Sequence, residues 1–110
     1  MERVFKMSEG TQTACKEIIT HYGLPKQLDI VVEECSELTK AICKAKRRFE
    51  PDKVCITTDM LEEIVDVQIM LMQLIQVMSP LEYDYLHGQI DYKLKRQAER
   101  IRQDEGGYIW

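Results

Sequence analysis

At 110 residues the chain has the length of one domain, and 45% hydrophobic beside 31% charged residues exclude global disorder. A net charge of −4 argues against general nucleic-acid binding, which calls for a basic footprint. The longest uncharged stretch, Val67 to Leu81, is about 15 residues and carries three glutamines and a proline, short of the roughly 18 that suggest a membrane span. Glu2, Arg3 and Lys6 interrupt the start before any apolar run, so no signal peptide is expected. The four cysteines, Cys15, Cys35, Cys43 and Cys55, have no CxxC or Cys/His spacing; reduced thiols and a cytoplasmic location are the expectation, not zinc.

In chain order, the first predicted helix runs from about Thr11 to Tyr22. Cys15, Ile18, Ile19 and Tyr22 share one face, and Gly23 supplies the stop. A second helix starts near Pro25, with Leu28, Val31, Val32, Cys35, Leu38, Ile42 and Ala45 as its apolar stripe. Its end is basic, Lys46-Arg47-Arg48, which suits the helix dipole. The position of Cys35 on that stripe predicts a buried thiol. A third helix starts near Thr58, with Asp59 and Glu62 as a capping box, and reaches about Met78. The fourth opens with Ser79-Pro80-Leu81-Glu82, which combines an N-cap, proline at N1 and glutamate at N3, and continues to about Arg102. Gly106-Gly107 precede a tail that ends in Tyr108-Ile109-Trp110.

No strand-like alternation or internal repeat is present, so the expected class is all-α, a single domain over 1–110 with its helical core at about 11–102 and a tail at 103–110. From Val67 to Met78 the third helix is apolar on nearly every face, broken by Gln68, Gln73 and Gln76. A helix of that kind needs neighbours all round. A second subunit is therefore expected to complete the core, in a homodimer or homotetramer.

Two acidic clusters carry the chemistry: Glu33-Glu34-Cys35-Ser36-Glu37 on the second helix and Glu63-Ile64-Val65-Asp66 on the third. Glu33 with Glu37, and Glu34 with Glu37, are one-turn neighbours; Glu33 and Glu37 fall on a face away from the apolar stripe, with Glu34 at its border. Glu63 and Asp66 share a stripe with Asp59 and Met70. Like charges so close repel, and a divalent cation between the helices would reverse that cost. Donors that are all oxygen favour Mg²⁺, with Mn²⁺ also suited, over zinc or copper. A di-iron carboxylate bundle would require Glu-x-x-His pairs, whereas Glu34 and Glu63 are followed by Glu37 and Asp66, and His21 and His87 lie elsewhere. On spacing alone a solvated acidic face competes with the metal site on equal terms.

Glu-Glu-x-x-Glu followed by Glu-x-x-Asp on consecutive helices resembles the MazG-like nucleoside triphosphate pyrophosphohydrolases. The likeness extends to Lys26-Gln27-Leu28, Val32-Glu33-Glu34, Glu37-Leu38-Thr39-Lys40-Ala41 and Glu62 to Val67, within roughly residues 11 to 102. The resemblance implies a MazG-like four-helix bundle. It also implies Mg²⁺-dependent hydrolysis of an NTP or dNTP between the α and β phosphates, giving a nucleoside monophosphate and pyrophosphate. By resemblance Glu34, Glu37, Glu63 and Asp66 are metal ligands. Glu33 is a further ligand or the base that orients water, and Glu33 and Glu34 are the catalytic carboxylates. Lys93 and Arg96, with Asp91 where many members have asparagine, resemble the family's substrate-binding segment; a solvated face is the plain reading of those cations. His21, Tyr22, Tyr108 and Trp110 are available to stack on a base, although such residues more often serve core or interface. Met60, Met70, Met72 and Met78 read as core packing. The reading from another class is a non-catalytic helical oligomer whose acids form a regulatory or interaction surface.

Overall fold

A computed structural model describes residues 7–105, and all of its regular elements are helical. They are α1 (Glu9–Tyr22), α2 (Leu24–Arg48), a 3₁₀ turn at Pro51–Lys53, α3 (Thr58–Gln76) and α4 (Pro80–Glu105). The tail residues Tyr108 and Trp110 lie outside the described residues. Residues 7–77 form one compact unit and 78–105 a second. Among the described residues no helix is long and apolar enough to cross a membrane.

Local sequence accounts for the helix ends. The Ser8 hydroxyl accepts from the Thr11 N–H at 3.1 Å, which starts α1 two residues before the expected Thr11. Gly23 ends α1 and begins α2: its N–H donates to the Ile19 carbonyl at 2.8 Å, and its own carbonyl accepts from the Gln27 N–H at 3.1 Å. Its φ of 86° and ψ of 152° are open to glycine and strained for other residues. The cap of α3 is Thr57, whose Oγ1 accepts from the Met60 N–H at 3.2 Å; the expected Asp59–Glu62 box does not form. Asp59 already sits inside the first turn, where it meets Lys44 at 3.8 Å. In α4 the expected box does form: the Ser79 N–H donates to Glu82 Oε1 at 2.9 Å and the Glu82 N–H donates to Ser79 Oγ at 3.1 Å.

Within the first unit α2 and α3 pack antiparallel as a helical hairpin, with α1 against both. The side of α2 that meets α3 differs from the expected stripe. Buried or half-buried positions are Gln27, Val31, Glu34, Leu38, Ala41 and Ala45, at alternating spacings of four and three residues. Leu28, Val32, Cys35 and Ile42, placed at the centre of the stripe by hydropathy, are exposed. The expected burial of Cys35 is therefore incorrect. The apolar arc of α2 is wider than one neighbouring helix covers, and its centre is not the line of contact. Ala41 and Ala45 let the helices approach closely there, with Met60 and Phe49 packed on them. Met60 and Met70 are buried and Met72 and Met78 half-buried, as the packing reading requires.

Burial in this single chain is thin. The fully apolar core comprises Cys15, Ile19, Ala41, Ala45, Met60 and Met70, while Val32, Leu61 and Val65 remain 66%, 53% and 50% exposed. Gly23 makes a sharp test of the hairpin entry. Gly23→Ala should cost about 1–3 kcal/mol of unfolding free energy, because alanine must adopt a conformation reserved for glycine. Urea denaturation should show the midpoint falling with little change in slope.

Candidate metal centre

The α2–α3 pairing brings carboxylates from both helices to one level of the hairpin. Glu34 from α2 and Glu63 and Asp66 from α3 each offer an oxygen, and these atoms lie within 4.8 Å of one another. Glu34 and Glu63 are half-buried and Asp66 is exposed. Three oxygens so spaced leave a common centre no farther than about 2.8 Å from each, and side-chain shifts under about 1 Å would reach the 2.0–2.1 Å of Mg²⁺.

The electrostatics have a clear sign. Partial burial pushes the Glu34 carboxyl above its ordinary value of 4.5, and the nearby charges of Asp66, Glu63 and Glu33 push it further. A hydrogen bond between Glu34 and Asp66 acts in the same direction. Glu63 is raised too, first by desolvation and then by Asp66, Glu37, Glu62 and Asp59. Without a cation the clustered negative charges make ionisation of Glu34 and Glu63 less favourable than for isolated carboxyls. The donor set is all oxygen and anionic, which fits a hard divalent ion.

Of the four carboxylates expected as ligands, three converge. Glu37 lies beside them, close enough to act on Glu63, but its Oε1 accepts from Lys40 Nζ at 3.2 Å. Glu33 is exposed on the solvent side of Glu34 and influences it through charge. Asp91, Lys93 and Arg96 are exposed residues of α4, with the Arg96 guanidinium 5.8 Å from the centre of the Tyr92 ring. His21 and Tyr22 close α1 as an exposed edge-to-face pair, and the Lys26 ammonium lies 4.7 Å from the Tyr22 ring centre.

Two cations were not anticipated at the site. Beside the acids an open groove of about 180 Å³ is lined by Glu37, Lys40, Ala41, Lys44, Asp59, Glu62 and Glu63. Lys40 and Lys44 both reach into ion pairs along it. Their signal in the sequence was the helical repeat, one and two turns after Glu37, on the side that faces Asp59. Basic groups next to a carboxylate cluster suit a ligand that is itself anionic and reaches the acids through a cation.

In comparisons with known proteins, no family model, curated protein or solved structure matches the chain.

The raised carboxyls make a prediction of definite sign. Because folded Glu34 and Glu63 bind protons more tightly than in the unfolded chain, the metal-free fold loses stability as pH rises from 4.5 through their raised values. Glu82 acts oppositely: its hydrogen bonds with Ser79 hold it low, so its contribution is lost as pH falls below 4.5. These opposite contributions of Glu34 and Glu63 on one side and Glu82 on the other are to be read from thermal melts across the pH range, with Glu34→Gln and Glu82→Gln each removing its own slope. At neutral pH Glu34→Gln, which removes one of the clustered charges, should raise the metal-free midpoint by about 1–4 °C.

Proposed function

We propose that the chain is an Mg²⁺-dependent nucleotide pyrophosphohydrolase of the MazG-like kind, acting on an NTP or dNTP. The observation that carries this reading is the convergence of Glu34, Glu63 and Asp66 from two antiparallel helices, in the order and spacing of the resemblance. Lysines on the adjoining groove support it, because a carboxylate cluster alone repels a triphosphate.

A nucleoside triphosphate carries about four negative charges near neutral pH, and only a bridging cation lets it approach three carboxylates. Glu34, Glu63 and Asp66 would hold that cation, Mg²⁺ or Mn²⁺, with Glu37 able to join them by releasing Lys40. When bound, the ion supplies Lewis-acid polarisation of the phosphate oxygens. The ionised form of Glu34, which a bound cation would favour, is the form that acts as a ligand. Glu33, exposed beside it, would either join the ligands or orient a water and accept its proton as the water oxygen bonds to the α phosphorus and the α–β bridging bond breaks. Lys40 and Lys44 would neutralise charge on the departing pyrophosphate. The substrate-side roles of Asp91, Lys93 and Arg96 rest on the resemblance alone.

The exposed apolar arc of α2 and α3, with Leu28, Val32, Leu61, Val65 and Ile69, supports assembly into a homodimer or homotetramer. A cytoplasmic location accords with four free cysteines.

Pyrophosphate release from a panel of canonical and modified NTPs and dNTPs tests the activity. Release should require Mg²⁺ and fall at least a hundredfold in Asp66→Asn and Glu34→Gln, since each removes a proposed ligand. Mg²⁺ should also stabilise the wild type by about 2.7 kcal/mol at a hundredfold excess over Kd, and neither variant. A folded protein with no release and no Mg²⁺ stabilisation would instead favour the non-catalytic oligomer. For the assembly, sedimentation equilibrium at micromolar concentration should give two or four times the chain mass, and a monomer would refute it.

A further inference from the structure

Gln27 and Gln73 form a buried amide pair that joins α2 to α3. They are 4% and 2% exposed, and Gln27 Nε2 donates to Gln73 Oε1 at 2.8 Å. The Gln73 amide also reaches Met70 Sδ at 3.6 Å. Burying an amide is costly unless it is hydrogen-bonded, so each glutamine stabilises the fold only when the other stands opposite it.

We infer that the Gln27–Gln73 pair is a positioning device for the carboxylate centre: it sets the α2–α3 register that brings Glu34, Glu63 and Asp66 together. The inference rests on the proposed metal site. Gln27 lies seven residues before Glu34, and Gln73 seven residues after Asp66. In an antiparallel hairpin, the register that opposes the two amides therefore opposes Glu34 and Asp66, two turns or about 10 Å along the axis.

Beside the Met60 contact with Ala41 and Ala45, the apolar pattern of the second half of α3 adds little to this task. From Val67 to Met78 it presents hydrophobic side chains on nearly every face, so sliding α3 by one turn replaces one apolar contact with another. A slide that brings Met70 opposite Gln27 unpairs both buried amides, while the opposite slide sets the half-buried Gln76 in place of the fully buried Gln73. Either slide carries Glu63 and Asp66 about 5.4 Å past Glu34. That exceeds the 4.8 Å span of the three oxygens, and a cation site tolerates only about 0.2 Å of error in its ligand distances. A single buried polar contact that selects one register is an attested use of such groups in helical seams.

A purely stabilising role makes a different prediction, because exchanging both amides for apolar groups of similar shape leaves stability nearly unchanged. The experiment measures Mn²⁺ binding by electron paramagnetic resonance, with urea denaturation in parallel. It compares wild type, Gln73→Met and Gln27→Met/Gln73→Met. The single variant, which strands the Gln27 amide, should unfold at lower urea. The double variant should recover the wild-type midpoint and helicity yet bind Mn²⁺ at least tenfold more weakly. Should the double variant not fold, Gln73→Asn, which keeps the amide and withdraws it by one methylene, should show the same loss of affinity. Wild-type affinity in a folded double variant, or in Gln73→Asn, overturns the inference and leaves the proposed metal site standing. Absence of Mn²⁺ binding by the wild type itself overturns both, a pattern distinct from the first.

Discussion

The antiparallel seam between α2 and α3 is the constraint on which the rest of the first unit depends. Two alanines, Ala41 and Ala45, bring the helices close at one end, against Met60 and Phe49. At the other end a buried amide pair ties Gln27 to Gln73. The carboxylates lie between these anchors. A side chain that must meet others within a few tenths of an ångström is best borne by rigid elements held at both sides, and two long helices satisfy that requirement better than loops would.

That placement has an electrostatic cost, and the chain's response to it is visible. Glu34 and Glu63 are half-buried among other acids, which lifts both carboxyls above their ordinary value. Lys40 and Lys44 take up charge on neighbouring acids, Glu37 and Asp59, and do so from solvent-exposed positions where each pair contributes at most about 1 kcal/mol. The cluster is therefore relieved but not neutralised. A carboxylate cluster of this kind is less stable than an apolar seam would be, which is the relation between function and stability expected if the proposed centre is a site.

How much of this was legible in the sequence follows from the range of the interactions concerned. All four helices, the Gly23 junction and the Ser79–Glu82 box depend on residues within a turn of one another, and local patterns reveal them. The two acidic clusters were visible because charges inside apolar helices stand out. The facing side of α2 was not, because hydropathy averages over an arc that extends beyond the neighbour; Cys35 and Val32 mark its apolar centre but not its contact. Thr57 displaced Asp59 as the cap because both residue types cap well, and only backbone geometry chooses between them. Gln73 was visible only as an interruption in an apolar helix. Its meaning lies in Gln27, 46 residues away in the chain, and no local pattern links the two.

The location of the carboxylates also bears on the thin core. A helical hairpin ordinarily reserves its seam for apolar side chains, but here Gln27, Glu34, Glu63 and Gln73 occupy seam positions. Apolar burial between α2 and α3 is left to Val31, Leu38, two alanines, Met60, Val67 and Met70. The larger apolar residues fall on the flanks, where Leu28, Val32, Leu61, Val65 and Ile69 stand exposed in the single chain. Fully burying an exposed aliphatic side chain of that size contributes about 1.5–3 kcal/mol, so covering these half-exposed residues would offset part of the cost of a polar seam. On this reasoning the proposed centre and the proposed assembly are one design: placing acids and amides between two helices moves hydrophobic burial to their outer faces, and a second copy of the chain is what the proposed assembly sets against them.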